Sequence, residues 1–284
     1  MENNKEKYVL VTGASSGLGK ATAIKLAKEG CKVFAGVRKQ QDKEALEALS
    51  SNITAIFLEV TSDESVNCAF ETIKNVTENL YALVNNAGIA TGGPIEFAPV
   101  EMLKRQFDVN VFGAIRVTQK FLPLMNGDDE RIVNISSMAS YGIFPFVSPY
   151  CASKRALDIF FNSLLLENKN PNLKVISIKP GVVATPIWNK SVDGIEECFG
   201  ELSETVYEKY GKDLQFVAQH ARENEHKGLK AEDIANLVWK VLSVKNPKLS
   251  YNIGKDSHFA RIFSLLPLGV TNFLIKKSMK KKVF

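Results

Sequence analysis

The chain alternates short apolar runs with longer amphipathic stretches, and this alternation constrains its fold more than any other feature. The apolar runs are rich in β-branched residues and cover Tyr8–Thr12, Lys32–Val37, Ile53–Glu59, Tyr81–Asn85, Arg131–Ser137 and Lys174–Lys179. Most of them are apolar on both faces, which is typical of parallel strands covered by helices on each side. Helices are predicted between them, near 18–29, 41–49, 63–77, 101–125 and 150–168. The pattern predicts an α/β protein with a doubly wound parallel sheet.

The rest of the chain is less regular. No internal repeat, low-complexity linker or change of composition marks a second domain, so one domain over 1–284 is expected. Residues 186–229 are polar and weakly periodic, with a helix predicted near 201–225. An insertion after the carboxyl end of a strand is placed to cover the ligand crevice of such a sheet. A helix near 231–243 and a strand near 249–253 follow, and 257–284 form an apolar extension.

Charge is concentrated at the carboxyl terminus. The formal net charge is +5, and the last nine residues contain no acid. They contain the lysines Lys276, Lys277, Lys280, Lys281 and Lys282. Without these five, 31 basic residues balance 31 acidic ones, which argues against a broad nucleic-acid-binding face.

The cysteines and the amino terminus bear on the compartment. Cys31, Cys68, Cys151 and Cys198 show neither metal-ligand spacing nor a paired framework, so no metal site is predicted. Cys31 and Cys151 fall in predicted core segments, as buried thiols in a reducing compartment do. The first residues, MENNKEK, lack an apolar signal region, and no apolar run reaches the roughly 18 residues that span a bilayer. A cytoplasmic location is expected, with peripheral membrane association as an alternative.

A glycine-rich turn joins the first predicted strand to the first helix. It reads Thr12-Gly13-Ala14-Ser15-Ser16-Gly17-Leu18-Gly19. Glycines let the backbone turn sharply near a pyrophosphate, and the helix amino end supplies free N–H groups and partial positive charge. An ordinary turn is the alternative, but the position at a strand–helix junction favours a dinucleotide site.

The second predicted strand bears on the cofactor's 2′ position. NAD sites place an acid about 20 residues past the glycines to bind the ribose hydroxyls. This chain has Val37 there, followed by Arg38 and Lys39. Arg38 could pair with a 2′-phosphate, or it could be a solvated cation. NADP(H) is favoured, with NAD as the alternative.

A tyrosine and a lysine four residues apart on a helix share one face. The spacing occurs twice, at Tyr150–Lys154 and Tyr251–Lys255, so it carries no weight alone. Tyr150 opens a long predicted helix thirteen residues after Ser137, at the carboxyl edge of the sheet. Tyr251 lies in a short strand, where Lys255 would not share its face. Only the first pair is expected to be catalytic.

The chain resembles the short-chain dehydrogenase/reductase family over nearly its whole length, and this resemblance implies a Rossmann-type fold. The motifs that carry the resemblance are Thr12-Gly-Ala-Ser-Ser-Gly-Leu-Gly19, Asn85-Asn-Ala-Gly88, Asn110, Ser137, Tyr150-Cys-Ala-Ser-Lys154 and Pro180-Gly181 with Thr185. Within the family, Val147–Lys154 and the pattern Pro247…Tyr251…Gly254-Lys-Asp256…Leu266-Pro267 are similar to the branch of 17β-hydroxysteroid, retinol and 3-hydroxybutyrate dehydrogenases.

The resemblance implies four catalytic roles. Tyr150 would move the proton while the nicotinamide moves the hydride. Lys154 would stabilise tyrosinate, whose fraction at pH 7 is only about 0.1% for a free tyrosine, and would bind the nicotinamide ribose. Ser137 would hold the substrate oxygen. Asn110, near a kink expected in 101–125, would hold a water that links Lys154 to solvent.

The resemblance also implies cofactor contacts beyond the glycine-rich turn. Asn86, Ala87 and Gly88 would line the adenosine ribose, and Thr185 would bind the carboxamide. Adenine would meet Glu59 and Val60, where the family usually has an aspartate. The cofactor set that follows comprises Gly13, Ser15, Ser16, Gly17, Leu18, Gly19, Arg38, Glu59, Val60, Asn86, Ala87, Gly88, Tyr150, Lys154, Pro180, Gly181, Val183 and Thr185.

Relatives in this branch act on secondary or allylic alcohols and the matching carbonyls. Four aromatic residues would line an apolar pocket or serve plain packing: Phe144, Phe146, Trp188 and Phe199. A hydrophobic, steroid-like or retinoid-like alcohol or ketone is therefore the expected substrate. The alternatives are an NAD-linked dehydrogenase of a small hydroxy acid, a dinucleotide sensor without chemistry, and a membrane-associated scaffold.

Partners are expected in two places. The helices at 101–125 and 150–168 carry apolar positions beyond one buried stripe, and relatives pair through these helices, so a homodimer or homotetramer is expected. The apolar segment 259–275 and its lysines, together 259–282, either pack on the subunit or a second copy or contact an anionic membrane. Packing is the favoured alternative.

Overall fold

The strands of the chain form one parallel sheet. A computed structural model describes residues 6–185 and 204–282. The strands are β1 Tyr8–Val11, β2 Lys32–Val37, β3 Ile53–Phe57, β4 Ala82–Asn85, β5 Arg131–Ile135, β6 Lys174–Pro180 and β7 Ser250–Ile253. Within the described ranges they are ordered β3-β2-β1-β4-β5-β6-β7, and every neighbouring pair is parallel. The predicted doubly wound, Rossmann-type sheet is confirmed.

Helices connect the strands in the expected alternation. They are α1 Gly17–Lys28, α2 Gln40–Glu47, α3 Asp63–Lys74, α4 Val100–Phe107, α5 Ala114–Phe121, α6 Ser148–Glu167, α7 Glu204–Lys227, α8 Ala231–Ser243, α9 Lys255–Phe263 and α10 Leu268–Lys282. Strand and helix bounds agree with the sequence-based ones to within a few residues, which is the usual uncertainty of element ends.

The region predicted as one helix over 101–125 is interrupted. A π-helical segment, Asp108–Gly113, separates α4 from α5, and a 3₁₀ turn at Leu122–Leu124 ends the region. At Gly113 the backbone passes so close to Val60 that a Cβ would lie 2.7 Å from the valine Cγ2. The irregularity expected near Asn110 is therefore a π-helical turn, a feature that often occurs at functional sites.

Two apolar layers hold the sheet between helices. In β1, Val9 and Val11 face a layer that includes Leu26 of α1 and Val238 of α8. Leu10, between them in sequence, faces the opposite layer with α3, α5 and α6. Successive side chains of a strand point to opposite faces, so a strand buried on both sides must be apolar throughout.

The strand order reverses between β1 and β4. β1 pairs with β2 on one side and with β4 on the other. The sheet therefore extends from β1 to β3 in one direction and from β4 to β7 in the other. In open α/β sheets a ligand crevice forms at this point, outside the carboxyl ends of the strands. The turns after β1, β4, β5 and β6 all reach that edge.

The carboxyl-terminal extension forms two helices whose large apolar side chains face solvent. Ser257, Ala260 and Thr271 are buried on the body of the protein. Phe259, Ile262, Leu265, Leu266, Leu268, Val270, Phe273 and Leu274 are all exposed. The outer face of this segment therefore does not pack on its own subunit, and its expected packing on a second copy stays a prediction. Among the described residues, no helix combines the length and the apolar composition needed to cross a bilayer.

Cys31, Cys68 and Cys151 lie in the described part of the chain. Cys31 and Cys151 are buried free thiols, as expected, and Cys68 is exposed. Burial raises the pKa of both buried thiols, which keeps them protonated at neutral pH. Cys198 lies outside the described residues.

Candidate active site

The glycine-rich turn after β1 lies directly against the turn after β4. Gly13 has φ 64°, and a Cβ there would lie 2.8 Å from the Ala87 Cα. Gly17, the first residue of α1, has φ 53°. Both values fall in the left-handed region that glycine adopts without strain. A Cβ at Gly19 would overlap the Gly13 carbonyl oxygen and the Asn86 amide, so these glycines are required by close packing.

Hydrogen bonds join the two turns. The Asn86 Nδ2 donates to the carbonyl oxygens of Thr12 at 2.8 Å and Gly13 at 3.1 Å. The Thr12 Oγ1 accepts from the backbone N–H groups of Asn86 at 3.0 Å and Ala87 at 2.9 Å. Asn86 and Ala87, expected to line the ribose, therefore also hold the phosphate turn in shape.

The amino end of α1 fits a pyrophosphate. Ser16 stands at the N-cap position but makes no side-chain capping bond, and the first turn holds no acidic residue. The first backbone N–H groups of a helix have no partner within the helix, and they favour an anion. Ser15 is half-buried and Ser16 exposed beside them, while Leu18 packs on the core. The described residues fit a dinucleotide phosphate here.

Just after β2, the Arg38 guanidinium is paired with the Glu59 carboxylate. The Arg38 Nη1 lies 3.2 Å from the Glu59 Oε2, and the Arg38 side chain is 68% exposed. Burial raises the pKa of Glu59, but hydrogen bonds from Arg38 and Thr61 outweigh it and hold the pKa below its usual value. Val60 is buried beneath them. Arg38 is therefore ion-paired, although it was expected to be a free phosphate partner or a solvated cation.

The hydroxyls of Ser137 and Tyr150 meet at the carboxyl end of β5. Ser137 is extended (φ −162°, ψ 159°), and its Oγ accepts from the Ala139 N–H at 3.1 Å. Burial raises the pKa of Tyr150 to about 12, and a hydrogen bond with the Ser137 hydroxyl opposes the rise. The Tyr150 hydroxyl is therefore a neutral donor at pH 7.

Lys154 lies one turn after Tyr150, with its ammonium inside the protein. Its Nζ donates to the Ile135 carbonyl oxygen at 2.8 Å and lies 5.8 Å from the centre of the Tyr150 ring. Burial lowers the Lys154 pKa to about 8, against an opposing effect of Asp158. The second Tyr–Lys pair is different, because Tyr251 is in β7 and Lys255 begins α9.

Asn110 is fixed within the π-helical segment. Its Nδ2 donates to the Ile89 carbonyl oxygen at 2.9 Å and to the Ser153 Oγ at 3.0 Å, and its Oδ1 accepts from the Ile89 N–H at 2.8 Å. A Cβ at Gly88 would lie 3.3 Å from the Asn110 Oδ1 and 3.6 Å from the Lys154 Nζ. Asn110, Lys154 and Gly88 therefore lie close together.

The segment after β6 is hydrogen-bonded to residues of β7 and α9. The Gly181 N–H donates to the Ile253 carbonyl oxygen at 2.8 Å, and the Val182 N–H donates to the Asp256 Oδ2 at 2.6 Å. A Cβ at Gly181 would overlap the Asp256 carboxylate. These bonds fix the path of the segment that carries four predicted cofactor residues. They are Pro180, Gly181, Val183, which bridges to Leu229, and Thr185, which is buried.

An aromatic ring of α7 packs against rings from the segments that precede α4 and α6. The ring of Tyr210 meets those of Phe97 and Phe146, each with centroids 6.1 Å apart and edge to face. Lys209 binds both carboxylate oxygens of Glu96 at 2.7 Å. Two of the expected pocket residues, Phe144 and Phe146, are half-buried here, whereas Trp188 and Phe199 lie outside the described residues.

Sequence reasoning missed the groups that position the catalytic helix. Ser153 accepts from Asn110 and donates to the Tyr150 carbonyl oxygen at 2.8 Å. Asp158 forms a buried ion pair with Lys179 of β6, with 2.7 Å between Nζ and Oδ2. Asp158 comes four residues after Lys154 on one face of α6, and that spacing was the available signal. Nothing in the sequence pairs it with Lys179.

Comparison with known proteins agrees with this geometry. The family model described as short chain dehydrogenase matches residues 7–196. The chain belongs to the short-chain dehydrogenase family. It is accordingly an NAD(P)-dependent oxidoreductase that acts on CH–OH groups.

Several curated relatives of this short-chain dehydrogenase carry assigned activities. An NADPH-dependent 3-dehydrocapnine reductase of Ornithobacterium rhinotracheale is 33% identical over 97% of this chain and 98% of its own. A mitochondrial D-beta-hydroxybutyrate dehydrogenase of Rattus norvegicus is 37% identical over 72% of this chain and 64% of its own. Estradiol 17-beta-dehydrogenase 2 of Mus musculus is 30% identical over 96% of this chain and 74% of its own. These relatives confirm the predicted branch.

The buried ammonium of Lys154 makes stability depend on pH. Its folded pKa of about 8 lies below its ordinary value of 10.5, so the unfolded chain binds more protons between these values and stability rises with pH there. Tyr150 does not contribute below pH 10 because its pKa is raised. In urea titrations of the cofactor-free protein, we expect the free energy of unfolding to rise by about 2 kcal/mol from pH 7.5 to 9.5, relative to Lys154→Met. Parallel pH profiles of the two proteins would contradict a buried charge at Lys154.

Proposed function

We propose that this enzyme transfers a hydride between NADP(H) and a hydrophobic secondary or allylic alcohol or the matching carbonyl. The observation that carries the proposal is the buried ammonium of Lys154, which lies 5.8 Å from the centre of the Tyr150 ring and donates to the Ile135 carbonyl oxygen. A phosphate-binding turn ends at the same edge of the sheet. A proton donor, a cation to stabilise its conjugate base and an anion cradle are the parts this reaction needs.

In the reducing direction the two hydroxyls hold the carbonyl oxygen of the substrate. Tyr150 then donates its proton to that oxygen, and the positive charge of Lys154 stabilises the tyrosinate that remains. The tyrosine keeps its proton until this step, since burial holds its pKa near 12. Ser137 has a single hydroxyl proton, which it would donate to the substrate oxygen as charge develops there.

The nicotinamide cofactor supplies or accepts the hydride when it is bound. Gly13, Ser15, Ser16, Gly17, Leu18 and Gly19 would hold its phosphates, Asn86, Ala87 and Gly88 its adenosine ribose, and Glu59 and Val60 its adenine. On the other side of the crevice, Tyr150, Lys154, Pro180, Gly181, Val183 and Thr185 would hold the nicotinamide half.

After it has donated its proton, Tyr150 must regain one from solvent. We propose that this route passes Lys154. Asn110 is placed to support this route, because its side chain fixes the Ile89 backbone and, through Ser153, the first turn of α6. With its side-chain amide committed to these partners, Asn110 acts by holding the π-helical segment beside Lys154 in shape. A water held there would link the Lys154 ammonium to solvent.

NADP(H) is the proposed cofactor because the end of β2 carries a cation and no acid. Val37 stands where NAD sites place a carboxylate, and Arg38 follows with most of its side chain in solvent. Glu59 occupies one nitrogen of the guanidinium, whose planar fork carries five N–H donors. The NADPH-dependent relative supports the same assignment.

A hydrophobic substrate is proposed because aromatic and apolar groups border the site. Phe97, Phe146 and Tyr210 form one wall, and α7 is tied to it through Lys209 and Glu96. Residues 186–229, of which α7 is the described part, would cover the substrate within a single domain. The relative named for estradiol supports this class, whereas the hydroxybutyrate dehydrogenase favours a small hydroxy acid instead. Steady-state assays test this choice. Turnover confined to small hydroxy acids would support the hydroxy-acid function and contradict a hydrophobic substrate.

Self-association is proposed through the helical region 101–125, which contains the π-helical segment, and through α6. Phe112 and, on α6, Ile159 and Phe160 are exposed large apolar side chains. Apolar surface of this kind is buried in homodimers and homotetramers. Sedimentation velocity distinguishes these states, and a monomer at all concentrations contradicts the proposal.

Replacing Tyr150 with phenylalanine removes the proton donor and keeps the ring. We expect kcat to fall at least about 100-fold, the range of general acid catalysis, with the Kd for NADPH nearly unchanged in fluorescence titration. Tyr251→Phe is the matched control, since it has the same spacing to a lysine, and it should retain kcat. Persistent activity of Tyr150→Phe would assign the proton transfer to another group.

Removing the cation at the end of β2 tests the cofactor assignment. In Arg38→Ala we expect KM for NADPH to rise by about 10-fold or more, since a charge-assisted contact to phosphate is worth roughly 1.5–3 kcal/mol, and KM for NADH to change little. Lys43→Ala, also a cation near this end of the sheet, serves as the control. A wild-type enzyme with a clear preference for NADH contradicts the assignment.

A further inference from the structure

Large apolar side chains are exposed along α9, α10 and the turn between them, and we term this set the apolar face. It consists of Phe259, Ile262, Leu265, Leu266, Leu268, Val270, Phe273 and Leu274, each between 39% and 81% exposed. Single exposed apolar residues are ordinary, but eight within sixteen positions form a patch of the kind that marks a protein or membrane contact.

The apolar face continues directly into basic residues. On α10, Val270, Phe273, Leu274 and Lys277 follow the spacing i, i+3, i+4, i+7 and therefore share one side of the helix. Thr271 is buried on the opposite side. Lys276 and Lys277 are exposed, and three more lysines follow in the sequence at 280–282. The helix is thus apolar in its first half and cationic in its second.

The charge of this region is of one sign. From residue 257 to the end the chain contains six lysines and arginines and no acidic residue. A second copy bound by two-fold symmetry would set this surface against itself and bring the two lysine clusters together without an acid to compensate. An anionic lipid surface offers the complementary charge and an apolar layer beneath it.

From the apolar face and its lysines we infer that α9 and α10 dock this enzyme on the surface of an anionic membrane. The apolar side chains enter the boundary between headgroups and acyl chains, and the lysines contact the headgroups. This inference goes beyond hydride transfer and does not depend on the proposed substrate.

The docked surface adjoins the active site. The start of α9 is anchored there, because the Ser257 Oγ donates to the Lys179 carbonyl oxygen at 2.7 Å and Asp256 binds the Val182 N–H. The same helix packs on the turn Met138–Tyr141, which follows Ser137. Docking therefore brings the carboxyl edge of the sheet close to the bilayer.

Binding of the full-length enzyme to vesicles tests this inference. We expect co-sedimentation with vesicles of phosphatidylcholine and phosphatidylglycerol, at least ten-fold stronger than with phosphatidylcholine alone. Raising the ionic strength to about 0.5 M should remove most of the difference, because it shortens the Debye length. Absence of binding, or equal binding to both vesicle types, would overturn the inference.

Variants locate the contact. Converting the lysines at 276, 277, 280, 281 and 282 to glutamine, or Phe273 and Leu274 together to serine, should weaken binding at least ten-fold. The matched control converts five exposed lysines elsewhere to glutamine and should bind as the wild type does: Lys28, Lys74, Lys169, Lys245 and Lys248. All three variants lie outside the catalytic machinery, so their basal turnover should be unchanged, which shows that they fold.

The same preparations separate membrane docking from pairing of two copies. If the apolar face were an interface between copies, the serine variant would sediment with a lower mass than the wild type, and the wild type would not bind vesicles. That pair of results would overturn membrane docking and leave the dehydrogenase activity unaffected.

Discussion

Two backbone turns, one after β1 and one after β4, approach each other so closely that no side chain fits between them. Gly13 lies against the Ala87 backbone, and Asn86 and Thr12 tie the turns together with four hydrogen bonds. The contact sits where the strand order reverses, so it shapes the floor of the ligand crevice. The amino end of α1 and the segment that leads to Gly88 both take their positions from it, and Gly88 in turn leaves room for Lys154 and Asn110 to converge.

A buried ammonium is the second element of the site, and it is destabilising by itself. Lys154 has the Ile135 carbonyl as its hydrogen-bond acceptor, and burial lowers its pKa to about 8. Asp158, one turn further along α6, opposes this shift, and Asp158 is itself held by Lys179. α6 therefore carries a buried positive charge, Lys154, which is hydrogen-bonded to β5, and a buried negative charge, Asp158, which is ion-paired with β6. Such an arrangement keeps a cation near Tyr150 at the cost of some stability.

The sheet could be predicted because its physical cause is local. A strand buried on both faces must be apolar at every position, as the Val9–Val11 run is, and this leaves a clear mark in the sequence. The four catalytic residues were predicted from the family resemblance, and the ends of the predicted strands only placed Ser137 and Tyr150 at one edge of the sheet. The resemblance implied a kink near Asn110, but the sequence did not show that it is a π-helical turn, nor that Gly113 there lies against Val60, a contact between distant parts of the chain.

Other features also escaped sequence reasoning for reasons of three-dimensional contact. Arg38, just after β2, pairs with Glu59, just after β3, and Asp158 of α6 pairs with Lys179 of β6, so both pairs join separate parts of the chain. The apolar composition of the tail was visible, but composition does not tell whether an apolar face meets its own subunit or solvent. The structure places that face outward.

The most direct test of the central claim follows the hydrogen atom itself. The enzyme would be incubated with NADPH carrying deuterium at C4 and, in turn, with steroid, retinoid and short keto-acid carbonyl compounds, and the products analysed by mass spectrometry and NMR. The account predicts one deuterium on the carbinol carbon of a hydrophobic product, with the hydroxyl proton drawn from solvent through Tyr150. Label found only in the small hydroxy acids, or in no product, would contradict it.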